Sequence, residues 1–222
     1  MKYESVLFDM DGVILNSLVN NQKWKFDAVK QVLREKDIEV EELSKNELEI
    51  ILGDHGYKEV VKKCTDLDLN PKEVWSDVAR KTTEARVEQI KNGNFALYDG
   101  VKDMIKKLHE RGISQGLISN APESAVEVTI EEFDLAKYFS FYLGVRNFED
   151  LQARKPNPNH LEYAKAELDS FPMVYVGDSE SDVIAAQRAD IDSIWVNREN
   201  SNADVKSDYQ IEEVSQIIDI IK

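Results

Sequence analysis

Val6-Leu7-Phe8-Asp9-Met10-Asp11-Gly12-Val13-Ile14-Leu15-Asn16-Ser17 is an apolar run of strand type, interrupted by two carboxylates and a glycine. In a strand, residues i and i+2 face the same way, so Asp9 and Asp11 project toward one point at the strand's C-terminal end. Gly12 permits the sharp departure that must follow. A free Asp titrates near pH ~3.9, so at neutral pH it is an ionised nucleophile that needs no base. An anionic phosphoryl group would repel it. A divalent cation between the two removes that repulsion, and a second carboxylic acid can protonate the leaving oxygen. Read alone, the stretch equally describes a strand ending in a solvated acidic turn. The rest of such a site has to appear later, at other strand ends.

Composition sets the outer limits. The chain has 222 residues, above the usual single-domain size of about 100–150, so one large domain or a core with an insertion is expected. Hydrophobic residues make up 42%, enough for a substantial core. No run of about 18 apolar residues occurs, which argues against a membrane span. Met1-Lys2-Tyr3-Glu4 leads directly into the first strand, where a signal peptide would have no room. The lone Cys64 has no disulfide partner and reads as a small packed residue on a helix. Together these features point to the cytoplasm. A net charge of −15 argues against nucleic acid as a partner. The oligomeric state is left open.

After Ser17 the periodicity turns helical for about eighty residues. Phe26, Val29, Val32 and Leu33 define an amphipathic helix over roughly 18–36. Ser44-Lys45-Asn46-Glu47 reads as a capping box, and Asn70-Pro71 as an N-cap followed by an N1 proline. Gly53-Asp54-His55-Gly56 breaks the block between helices. From Leu97 onward helices and strands alternate, with strands over Ile113–Ile118, Phe139–Leu143, Met173–Val176 and Ser193–Val196. Such alternation predicts an α/β fold, a Rossmann-like parallel sheet with helices on both faces and ligands beyond the strands' carboxyl ends. Residues 1–16 and 96–222 form this core, and 17–95 an all-helical insertion.

The missing parts of the site come in order. Ser119 offers a hydroxyl and Asn120 a backbone N–H, both suited to a phosphoryl oxygen. Lys155, in Arg154-Lys155-Pro156, would balance an acidic cluster and hold nucleophile and phosphate. In Gly177-Asp178-Ser179-Glu180-Ser181-Asp182, a strand delivers Asp178 to the sheet edge and Asp182 follows one helical turn later. Carboxylates this close are costly unless a cation joins them, and hard oxygen ligands point to Mg²⁺ rather than zinc. The three histidines have no metal-ligand spacing, and His109 and His160 read as surface or capping residues.

The four motifs in this order, spread over residues 6–182, resemble the haloacid dehalogenase superfamily, in its phosphoglycolate phosphatase and β-phosphoglucomutase-like subgroup with a helical cap. That resemblance implies a Mg²⁺-dependent phosphatase acting on a small phosphorylated metabolite through an aspartyl phosphate. Asp9 is then the nucleophile and Asp11 the acid/base, with burial and acidic neighbours expected to raise the Asp11 pKa. By the same resemblance Asp9, Asp178 and the Asp11 carbonyl would hold Mg²⁺, with Asp182 assisting directly or through water, and Ser119, Asn120 and Lys155 would hold the phosphate. His55, in the cap loop, is a candidate for touching substrate. The chain departs from the family pattern at Asn16, at Asp99-Gly100, where Asp99 can cap the next helix, and at Asp190, which suits a left-handed helix end. A phosphomutase would use the same residues, though the basic cap-loop signature of the sugar phosphomutases is missing. A dehalogenase would lack Asp11, a phosphonatase would need a decisive cap lysine, and a non-catalytic binding protein would not need the full acid set.

Overall fold

Ser5–Phe8 is buried at all four positions, as a central strand covered on both faces must be. In the computed structural model, which describes residues 2–198 and 205–221, this segment is β1. A two-residue strand, β2 (Leu15–Asn16), leads into four helices: α1 (Lys23–Arg34), α2 (Lys45–Leu52), α3 (Tyr57–Asp66) and α4 (Pro71–Lys91). The chain returns through β3 (Ala96–Leu97), antiparallel to β2. Alternation follows: α5 (Val101–Glu110), β4 (Ser114–Pro122), α6 (Glu123–Glu132), β5 (Phe141–Val145), α7 (Asn159–Leu168), β6 (Met173–Gly177), α8 (Glu180–Arg188), β7 (Asp192–Val196), β8 (Tyr209–Ile211) and α9 (Ile217–Ile220).

The sheet order is β5-β4-β1-β6-β7-β8, with every neighbouring pair parallel. The chain builds outward from β1 to β5, then crosses back to β6 and builds the other way. The reversal lies between β1 and β6, and in such sheets a crevice opens at the carboxyl ends there. Strand periodicity divides the core accordingly. Val6 and Phe8 pack with Met104, Ile105, Val126 and Ile217 on one face, whereas Leu7 packs with Leu161, Ala164, Ala185 and Ala186 on the other.

The helical block has its own apolar cluster, including Val29, Leu33, Leu48, Ile51, Val60, Cys64 and Val78. That cluster runs on into Val145, Phe148 and Leu151 beside the sheet, so the block is packed down on the core. Both expected caps form. Ser44 and Glu47 make the reciprocal box at α2, and Asn70 Oδ1 accepts from the N–H groups of Lys72 and Glu73 at α4.

Local differences from the sequence reading have local causes. Helix α1 starts at Lys23 rather than near 18, because Asn20, Asn21 and Gln22 take left-handed φ values of 50°, 51° and 56°. Strand β5 starts two residues late, after a 3-10 turn over Ala136–Tyr138. Asp99 does not cap α5; the N-cap position falls on Gly100, at φ 76°, with no side-chain cap. Asp190 is left-handed as anticipated, at φ 54°. No described helix is long and apolar enough to cross a membrane.

His160 corrects a further expectation. It is neither a surface nor a capping residue: it is 2% exposed on α7, and neither ring nitrogen has a hydrogen-bond partner among the described residues. Burial holds its pKa down at about 4, against an ordinary value of 6.5. The unfolded chain therefore takes up this proton near pH 6.5 and the folded chain only near 4, so the stability is complete above pH 6.5 and is lost as pH falls through that window. The full difference is about 3 kcal/mol. Urea midpoints of His160→Leu measured from pH 7 to 4 will fall less steeply than those of the parent. Parallel curves would refute the buried neutral histidine.

Candidate active site

Strand β1 delivers Asp9 to the carboxyl edge, where its N–H continues the ladder by donating to the Val176 carbonyl at 2.8 Å. Gly12 turns the chain at φ +87°, and a Cβ there would lie 1.9 Å from Asp178 Oδ2. Only glycine meets both conditions. Asp178 leaves the end of β6, its carbonyl accepting from Trp195 Nε1 at 3.0 Å. Asp182 lies in the first turn of α8 and comes so close to the strand that a Cβ on Gly177 would sit 2.1 Å from its own Cβ. The Gly177–Asp182 spacing is thus also a helix-start device: Asp182 Oδ2 accepts from Ser179 N at 3.1 Å and Ser179 Oγ at 2.6 Å.

Lys155 arrives from the loop before α7, and its side chain is 2% exposed. Its ammonium donates to Asp9 Oδ1 at 2.5 Å, to Tyr175 Oη at 2.6 Å and to the Ile118 carbonyl at 3.3 Å, and pairs with Asp182 Oδ1 at 2.7 Å. Burial works against that charge, but Asp182 and Asp9 outweigh it and keep Lys155 above the ordinary lysine value. The Asn120 side chain pins the lysine's backbone, accepting from Lys155 N at 2.8 Å and donating to its carbonyl at 3.1 Å. Asn120 therefore acts on the lysine loop through its side chain, a contact that the backbone reading missed. Ser119 is buried, lines the cavity and accepts from Ala121 N at 3.1 Å.

Asp9, Asp178 and Asp182 each offer a carboxylate oxygen, all within 4.8 Å of one another. Burial, joined by the Asp182 and Asp178 charges, pushes Asp9 well above its ordinary value despite Lys155. Burial and the Asp182 charge push Asp178 up to about 7. Such a cluster is relieved by a proton or by a cation, and an all-oxygen donor set suits a hard divalent ion. The residues present fit one.

Asp11 overturns an expectation. Burial alone would raise its pKa, but Arg86 of α4 grips it with two charge-assisted bonds, Nη1 to Oδ1 at 2.7 Å and Nη2 to Oδ2 at 2.8 Å. With Lys25 nearby and Ser17 Oγ donating to Oδ1, the carboxyl is held well below the usual range. Arg86 was not visible as a site residue, although a signal existed. It continues the i, i+4 stripe Val74, Val78, Thr82 on the buried face of α4, where a charged side chain needs a partner. Tyr175 carried no comparable signal, since a tyrosine in an apolar strand reads as core.

A cavity of about 170 Å³ joins these groups, lined among others by Asp9, Asp11, Lys25, Arg86, Ser119 and Lys155. Arg154 closes one side by donating to the Leu52 carbonyl at 3.2 Å and Asp54 Oδ1 at 2.8 Å, and so bridges the loop of Lys155 to the end of α2. His55 does not line this cavity. It borders the adjoining open groove and lies 3.7 Å from Glu49.

The chain is 33% identical to a phosphoglycolate phosphatase of Salmonella typhimurium over 62% of its own length, and spans 54% of that relative. A phosphoglycolate phosphatase of Vibrio vulnificus is 26% identical over 97% of this chain and 95% of that one. Among solved structures, CbbY from Rhodobacter sphaeroides in complex with phosphate superposes with a TM-score of 0.74 at 21% identity, covering 97% of this chain and 96% of that one. It shares the fold. The family model of haloacid dehalogenase-like hydrolases matches residues 6–196, and the chain belongs to that family.

Proposed function

We propose that this protein is a Mg²⁺-dependent phosphatase that hydrolyses a small phosphorylated metabolite through an aspartyl phosphate on Asp9. Residues 17–95 act as a cap over the core formed by 1–16 and 96–222. The observation that carries this reading is the convergence of Asp9, Asp11, Ser119 and Lys155 on one small cavity under the helical block. The curated relatives bear the name phosphoglycolate phosphatase, which makes 2-phosphoglycolate the first substrate to test.

In the first step an Asp9 oxygen bonds to phosphorus, the bond to the leaving oxygen breaks, and that oxygen takes a proton from Asp11. In the second, Asp11 removes a proton from water, which attacks phosphorus and displaces Asp9 as a carboxylate. Ser119 and Lys155 hold phosphoryl oxygens, the hydroxyl by hydrogen bonding and the ammonium by charge. Asp9, Asp178, Asp182 and the Asp11 carbonyl would hold Mg²⁺, which supplies charge neutralisation between nucleophile and phosphate. With Arg86 engaged, Asp11 is ionised, the form the second step uses. The first step requires that grip to loosen.

Phosphate release from a panel of phosphomonoesters, with Mg²⁺ or EDTA, will show Mg²⁺-dependent turnover that falls by roughly three orders of magnitude or more in Asp9→Asn. Turnover surviving in Asp9→Asn would remove the nucleophile assignment. The cation also competes with protons held by Asp178, whose pKa of about 7 means that the site is partly protonated below neutrality. The Mg²⁺-induced rise in Tm will therefore be larger at pH 8 than at pH 5.5, and Asp178→Asn will abolish most of it. A pH-independent rise, or one that persists in Asp178→Asn, would place the ion elsewhere.

A further inference from the structure

The wall that the helical block turns toward the cavity is cationic, in a chain whose net charge is −15. It presents Lys25 and Arg86 together with Trp24. Arg86 is 1% exposed, lies with its guanidinium carbon 5.4 Å from the Trp24 ring centroid, and spends both terminal nitrogens on Asp11. Its Nε and the Trp24 Nε1 are buried donors without a partner among the described residues. Among the described residues Lys25 makes one hydrogen bond, to Gln22 Oε1 at 2.5 Å, and no ion pair, with Asp11 and Asp54 the carboxylates that act on it from further off. Unpaired buried donors are costly, and their clustering in one wall marks a place where an acceptor belongs. Asp54, the acidic residue that the block turns to that cavity, is matched from the other side by Arg154 of the lysine loop.

Building on the phosphatase reading, we propose that Lys25 and Arg86 form the subsite for a second anionic group on the substrate, a carboxylate, and that Arg86 trades Asp11 for that carboxylate when substrate binds. Two observations favour a carboxylate. Arg86 already holds one, Asp11, in the parallel two-bond geometry, so its guanidinium has room for that shape. The subsite is in the same cavity as Asp9 and Lys155, so both ends of one small molecule are reached. The exchange frees Asp11 Oδ2 toward the leaving oxygen, while Oδ1 keeps the hydrogen bond from the Ser17 hydroxyl. Arg86 thereby becomes a specificity-determining and positioning residue: a phosphomonoester without the second anion leaves Asp11 tied.

Two non-hydrolysable probes separate the subsite from the chemistry. Phosphonoacetate carries a carboxylate beside its phosphonate, whereas methylphosphonate has the phosphonate alone. By calorimetry in Mg²⁺, the full chain will bind phosphonoacetate at least ~10-fold more tightly, as expected for charge-assisted bonds to a desolvated carboxylate. That ratio will fall toward one in Lys25→Met and in Arg86→Met, and Arg86→Lys will restore part of it. Lys25 is half-buried with a single hydrogen bond, so its substitution carries the test even if Arg86→Met does not fold. A parent ratio near one, or a ratio unchanged in Lys25→Met, overturns the proposal. Tighter Lys25-dependent binding of methylenediphosphonate than of phosphonoacetate overturns the carboxylate assignment. An intact ratio without any phosphate release would instead retire the phosphatase reading and leave the subsite standing.

Discussion

One buried ammonium holds the site together. Lys155 sits among Asp9, Asp182, Tyr175 and the Ile118 carbonyl, which come from three adjacent strands, β1, β6 and β4, and the start of one helix. Without it, two buried carboxylates would face each other unpaired, the arrangement that burial penalises most. Full hydrogen bonding is what makes such a charge tolerable, and Lys155 has four acceptors. Its loop is in turn fixed by Asn120, so the end of β4 sets where the charge lies. Positive charge alone does not neutralise the cluster. Asp9 and Asp178 still sit above their ordinary values, and a hard cation is the natural complement.

Two arginines hold the helical block against the sheet from opposite directions. Arg86 reaches down from α4 to Asp11, and Arg154 reaches up from the lysine loop to Leu52 and Asp54. Arg86 is buried and Arg154 nearly so, and each ties the helical block to a loop at the carboxyl edge of the sheet. Apolar packing of Val145, Phe148 and Leu151 into the block supplies the non-directional part of the same contact. Ion pairs thus join the helical block to the sheet alongside that apolar contact.

Much of this architecture was legible in the residues. Strand identity followed from short apolar runs, helix starts from Ser44 and Asn70, and the order of the motifs from their position at strand ends. Errors were of two kinds. Some were small displacements where a turn overrode periodicity, as at Asn20–Gln22 before α1 and Ala136–Tyr138 before β5. Others concerned charge. Asp11 was expected to be raised and is lowered; His160 was expected near the surface and is buried; Asp99 was expected to cap and does not. Each of these depends on what stands opposite a side chain in space.

The sequence by itself determined the α/β alternation, the helical stretch after β2 and the delivery of Asp9, Asp11, Ser119 and Asp178 to one edge of a sheet. Those features depend on the two-residue repeat of a strand, the 3.6-residue repeat of a helix and the conformational freedom of Gly12, all of which act over a few residues. Only the tertiary structure decided how the carboxylates are charged. Arg86 meets Asp11 across 75 positions and Lys155 meets Asp9 across 146, and a pKa responds to whatever charge and solvent lie within a few ångströms, however far apart along the chain.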